Sequence, residues 1–185
     1  MAGWSGAGLY DSKTQHPDEG HISKSVKQVF ASLWNFRAFE EREFYRIDHF
    51  TAAMGLLVHT NFSNEIANGV AVTFDPFYQS ESTYYLNAQV GEDLVTNPSD
   101  LSIPEEVLVS TERDGDSVIM RPSNRVPSGG RVISLAHIAE LKSLLSEIDR
   151  RFRSLYRSDY TGMEIEFKIT EDDEVAIKQA RPWVR

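Results

Sequence analysis

The chain has 185 residues, of which 28 are acidic and 19 are Lys or Arg, for a formal net charge of −9. That excess makes a poor nonspecific binder of nucleic acid or of an anionic lipid surface, because nothing in the count offsets a phosphate backbone, and a phosphate ligand would need its own cation. Hydrophobic residues at 41% exclude a disordered tail, and the absence of cysteine removes disulfides, thiolate nucleophiles and Cys-based zinc sites.

No run approaches roughly 18 apolar residues, and Met1 to Gly6 lacks the basic region and apolar run of a signal peptide. A soluble, cytoplasmic protein of one domain or two small lobes is expected. Residues 1–22, rich in Gly, Ser, Asp and His, predict a loop. Val26, Val29, Phe30, Leu33 and Trp34 recur at helical spacing, with Ser23 available as a cap. A second helix is expected from Phe36 to Phe50, with Arg37, Glu40, Glu41, Arg42 and Glu43 as its wet face. Strands are expected at Met54 to Asn61, Gly69 to Asp75 and Thr83 to Gln89, all rich in β-forming residues.

After a break at 91–105, Val107 to Thr111 and Ser117 to Arg121 predict a hairpin around Asp114-Gly115. Pro122 to Gly130 predicts a loop. The clearest helix runs from Leu135 to Tyr156, capped by Ser134, and its apolar stripe reads as core. Met163 to Thr170 and Val175 to Ala180 close the chain as a hairpin. Hairpins and helices that do not strictly alternate predict an α+β fold, mostly an antiparallel sheet packed with helices.

A four-residue turn, Glu171 to Glu174, would set Glu166 opposite Gln179 and Glu164 opposite Arg181. Side chains two apart on a strand share a face, so two carboxylates, an amide and a guanidinium would form one patch. Mg²⁺ takes one or two carboxylates together with phosphate oxygens, and a guanidinium forks onto phosphate, so the patch could hold a metal–nucleotide. An exposed sheet face with cross-strand ion pairs would look the same from spacing alone.

Glu164-Ile165-Glu166-Phe167, followed by Ile177-Lys178-Gln179-Ala180-Arg181-Pro182, resembles the end of the ATP-grasp nucleotide-binding domain of phosphoenolpyruvate synthases and pyruvate, phosphate dikinases. Those enzymes carry an acidic-x-Glu strand and a Gln-x-Arg strand there. Val29 to Trp34 with Arg37-Ala38 resembles the family's two-helix segment, and Asn68 to Pro76 its Gly-Val strand. Gln89-Val90-Gly91-Glu92-Asp93-Leu94-Val95 resembles a Gly-Leu-Gly-Glu turn that has lost its first glycine.

The resemblance implies that Glu164 and Glu166 bind the metal ions of Mg-ATP, that Gln179 and Glu92 belong to the nucleotide site, and that Arg181 contacts the phosphates as the catalytic cation. Val58 and His59 fall where the family's adenine-binding strand passes. Residues 1–22 would be the glycine-bearing phosphate-side loop and 23–185 an ATP-grasp-like subdomain, the C-terminal portion of a longer enzyme. Its partners would be the missing N-terminal half of the grasp and a phosphohistidine domain, with no nucleic acid and no membrane. The rival is a noncatalytic interaction or regulatory module that keeps the fold without nucleotide turnover.

Other candidates are weaker. Gly6 to Thr14 lacks the glycine before Lys13 that a Walker loop needs, and no strand precedes it. His16 and His21 lack the helical spacing of a metal pair, and no Gly-x-Ser-x-Gly elbow exists. Arg150, Arg151, Arg153 and Arg157 form a basic face that ion pairing with acidic neighbours explains.

Overall fold

The computed structural model describes residues 8–96, 98, 101–113, 115–156 and 161–183. The chain divides into two compact units between Asn61 and Phe62.

In the first unit, α1 spans Ser23–Ala31 and α2 spans Phe36–Phe44, joined by a single 3-10 turn over Ser32–Trp34. The helices meet at Asn35, whose Oδ1 accepts from the Ala38 N–H at 2.8 Å and caps α2. Its Nδ2 donates to the Leu9 carbonyl at 2.6 Å, and Ser32 Oγ accepts from the Asp11 N–H at 3.1 Å, so the loop before α1 is fastened to this junction.

Four expectations fail in this unit. Ser23 is the first helical residue, not the cap; Ile22 holds that position without a side-chain bond. The second helix ends at Phe44, six residues early, where Tyr45 leaves helical geometry and Arg46 takes φ 54°. Arg42, expected on the wet face, is only 3% exposed: its guanidinium lies 5.5 Å from the Trp34 ring and its Nε donates to His49 Nδ1 at 3.0 Å.

The strand expected at Met54 to Asn61 is not formed either. Its residues have β-forming side chains, but no described strand pairs with them, and an unpaired strand has no ladder to hold it.

The second unit is a six-stranded antiparallel sheet in the order β4-β3-β2-β1-β5-β6, with strands β1 Ala67–Val72, β2 Thr83–Val90, β3 Glu105–Ser110, β4 Ser117–Arg121, β5 Met163–Ile169 and β6 Val175–Pro182. Helix α3, Leu135–Tyr156, runs over the residues expected, and Ser134 Oγ accepts from the His137 N–H at 3.1 Å as its cap. Ile138, Leu141 and Leu145 of α3 pack onto Leu86, Val107, Ile165 and Phe167 of the sheet. Each fully buried side chain of this kind contributes roughly 1.5–3 kcal/mol. The alternation is strict along β5: Met163, Ile165, Phe167 and Ile169 face the core, which leaves Glu164, Glu166 and Lys168 on the opposite face.

Gly69 explains the glycine of the Gly-Val strand. Phe167 lies directly opposite it on β5, and a Cβ there would meet the Phe167 ring at 2.5 Å and the Asn87 carbonyl at 2.6 Å.

The terminal hairpin reaches the expected register by a different route. Ile169 pairs with Val175 and the Thr170 N–H donates to the Glu174 carbonyl at 2.9 Å, so the turn is three residues, 171–173, one shorter than four, closed by Asp173 at φ 63°. A bulge between Glu166 and Phe167 then adds one residue to β6, and beyond it Glu166 faces Gln179 and Glu164 faces Arg181.

Candidate functional site

Three rows of side chains cross the sheet on the face away from α3. Tyr85, Val72, Glu164 and Arg181 are mutually opposed; Asn87, Val70, Glu166 and Gln179 form the next row; Gln89, Asn68 and Lys168 form the third. The first row is partly apolar: Val72, Phe74 and Tyr85 cluster with Leu108 and Trp183. Toward β6 the face turns polar.

Arg181 holds Glu164 with two bonds, Nη2 to Oε1 at 2.6 Å and Nε to Oε2 at 3.2 Å. Both side chains are about three-quarters covered, at 26% and 22% exposure. One row on, Glu166 is half-buried, and none of the described residues bonds or ion-pairs with it. Gln179 beside it is exposed. A further row on, Lys168 ion-pairs with Glu65, whose carboxylate is buried and whose Oε2 has no partner among the described residues. Along β5 the face thus reads as a paired carboxylate, an open carboxylate and a paired ammonium.

Lys168 and Glu65 were not singled out from the sequence. Lys168 was legible, since it continues the alternation of Glu164 and Glu166. Glu65 was not, because it comes from a segment 103 residues away.

The 89–95 turn departs from the phosphate-side turn it resembles. Gln89, standing in place of the first glycine, is fully buried; its Nε2 donates to Ser102 Oγ and the Ile103 carbonyl, each at 3.0 Å, and its Oε1 accepts from Ser123 Oγ at 2.7 Å. This side chain is a strut for the loops that follow. Gly91 keeps the turn itself, at φ 62°, and Asn68 Nδ2 donates to its carbonyl at 2.6 Å. Glu92 is exposed at the tip.

Val58 and His59 lie in the first unit, outside any helix or strand; Val58 is exposed and His59 Nδ1 contacts the Thr60 carbonyl at 2.7 Å. The sheet therefore gathers Glu164, Glu166, Gln179 and Arg181 on one face, with Glu92 at the turn after β2.

A family model for the AMP/ATP-binding domain of pyruvate phosphate dikinase matches residues 1–185. The chain belongs to that family. No curated protein matches it.

For a pyruvate phosphate dikinase nucleotide domain, the expected ligand is ATP or AMP, and the α+β sheet fits an ATP-grasp-like subdomain. Among the described residues no group of three or more His, Asp or Glu could cage a metal. Two carboxylates on one open face still fit Mg²⁺, which is held by one or two carboxylates together with substrate phosphates and seldom by an all-protein cage. Two of the histidines have partners within their own unit. His49 stacks on Phe39 at 4.2 Å and contacts Glu43, while His137 is buried against Asp173. The basic side chains of α3 pair within the protein, Arg150 and Arg151 with Glu147 and Arg153 with Asp149; Arg157 lies outside the described residues. No helix among the described residues is long and apolar enough to cross a membrane.

Proposed function

We propose that this domain is the ATP-binding part of a phosphoenolpyruvate synthase- or dikinase-like phosphotransferase, which binds Mg-ATP for phosphoryl transfer to a histidine on another domain and then to pyruvate or a related acceptor. The observation that carries the reading is the one sheet face that holds Glu164, Glu166, Gln179 and Arg181 together in a protein of this family.

The roles follow from the chemistry of the groups. Glu164 and Glu166 are the oxygen donors for Mg²⁺. Arg181 is the phosphate contact, a planar fork that can hold two oxygens of one phosphoryl group and so keep it in line for transfer. Gln179, exposed beside Glu166, has an amide able both to donate and to accept toward the nucleotide. The family resemblance assigns Glu92 to the nucleotide site as well, the backbone at Val58 and His59 to the base, and residues 1–22 to the phosphate side. Bound Mg²⁺ supplies charge neutralisation at the phosphates.

Charge arithmetic supports a contribution from other segments. With one Mg²⁺ the four-residue patch carries a single net positive charge, against roughly four negative charges on ATP. Further cations are expected from segments outside this patch, and the acceptor histidine from a phosphohistidine domain.

Calorimetric titration with Mg-AMPPNP tests the reading. Saturable binding is expected, weakened about tenfold or more by Glu166→Ala and by Gln179→Ala; wild-type protein that takes up no nucleotide would sink it. A second reading, a noncatalytic interaction module, draws on one observation: both oxygens of Glu164 and the head group of Arg181 are already engaged with each other. That module would show no response to Mg-AMPPNP.

A further inference from the structure

While Arg181 and Glu164 serve each other, the Nε/Nη2 edge of the guanidinium and one lone pair on each carboxylate oxygen are taken, which weakens both toward phosphate and metal. Arg181 spends Nε and Nη2 on the two oxygens of Glu164, and the pair sits beside Val72 and the apolar cluster of Phe74, Tyr85 and Trp183, where water competes less well for either group. Glu166, one row along the same face, has no partner among the described residues and is the carboxylate open to an arriving cation.

We propose that this ion pair is an exchange latch that couples metal to nucleotide. A cation held first at Glu166 draws Glu164 away from Arg181, and the freed guanidinium then takes the phosphates. Arg181 is therefore partly neutralised and offers only its Nη1 side toward a metal-free polyphosphate, and its whole fork toward the metal complex. The latch rests on the nucleotide reading above and adds to it the order in which the site assembles. It also accounts for a site that carries two carboxylates yet must accept an anion: without metal, Glu166 repels phosphate and Glu164 withholds the arginine.

The test compares ATP in excess EDTA with Mg-ATP on wild type, Glu164→Gln and Glu166→Gln. Each variant removes one negative charge from the same face, but only Glu164→Gln releases Arg181. Metal-free ATP is expected to bind Glu164→Gln about tenfold more tightly than wild type, the size expected for one freed bidentate charge contact. The gain in Glu166→Gln should be threefold or less, the share due to removed repulsion alone. Equal gains in both variants, or none in Glu164→Gln, would overturn the latch while leaving nucleotide binding intact. A wild type that binds neither form of ATP would overturn the nucleotide reading, and the latch with it.

A second measurement needs no variant to fold for the comparison. The Arg181 Nε–H resonance of wild-type protein should stay in place with ATP in EDTA and move on adding Mg-ATP. Movement by the same amount in both titrations would overturn the proposal.

Discussion

Leu86, Val107, Leu141, Ile165 and Phe167 of the sheet unit are buried, whereas Phe36, Phe44 and Phe50 of the helical unit are exposed, Phe50 at 89%. Both regions are rich in large apolar residues. The difference is in how the backbone is satisfied. Each strand from Ala67 onward pairs with a neighbour, which fixes its pleat and sends alternate side chains into one core. The segment 54–61 has the same kind of residues with no ladder, and its side chains have no prescribed face. Apolar composition supplies the driving force; paired backbone decides where it is spent.

Four measurements would break or sharpen that contrast. The largest effect is expected at Lys168→Met, which leaves the buried Glu65 carboxylate without its cation. A loss of about 3–5 kcal/mol in denaturant unfolding is expected, and adding Glu65→Leu should restore most of it, since an apolar pair can replace a buried ion pair. A single-variant loss under 1 kcal/mol would show that this end of the sheet is wetter than described. Next comes Leu141→Ala, at the fully buried centre of α3, for which about 3 kcal/mol is expected from lost transfer energy and the cavity left behind.

The third concerns pH. The Tyr85 hydroxyl is held well above the ordinary value of 10.0 by burial, and further by the charge of Glu106 and a hydrogen bond to it. The unfolded chain then gives up this proton first, so the folded state's advantage is complete below pH 10 and falls as pH rises above it. Unfolding titrations on wild type should lose roughly 1 kcal/mol per pH unit just above pH 10. Tyr85→Phe should flatten that limb in part, because Tyr84 is also raised by burial. An unchanged slope would remove Tyr85 as its source. The smallest effect belongs to the helical unit: Phe50→Ser should change stability by no more than about 0.5 kcal/mol, as an exposed position predicts. A loss above 2 kcal/mol would mean that Phe50 is covered in solution and the contrast is overstated.

Legibility followed the same division. Helix α3 was readable to the residue because its stripe is long and Ser134 caps it. The helix from Phe36 was extended too far, because nothing in its composition marks the left-handed backbone at Arg46 that stops it. Arg42 was placed on the wet face by its charge alone, which carries no signal of the ring and imidazole that cover it. The opposition of Glu164 to Arg181 and of Glu166 to Gln179 was anticipated from an even-length turn. It arises instead from two offsetting irregularities, a shorter turn and a bulge, neither of which alternation can reveal.

In the sequence by itself, period-two alternation, a local property of the backbone, already places Glu164 with Glu166, and Gln179 with Arg181, on one face of their strands. The sequence blocks also pointed to the family. Only the tertiary structure decided which of those groups are spoken for: Arg181 by Glu164, Lys168 by a carboxylate from a distant loop, Gln89 by the loops it braces, and Glu166 by none of the described residues. Ion pairs and buried amides join positions far apart in the chain, and their geometry exists only once the sheet has brought those positions together.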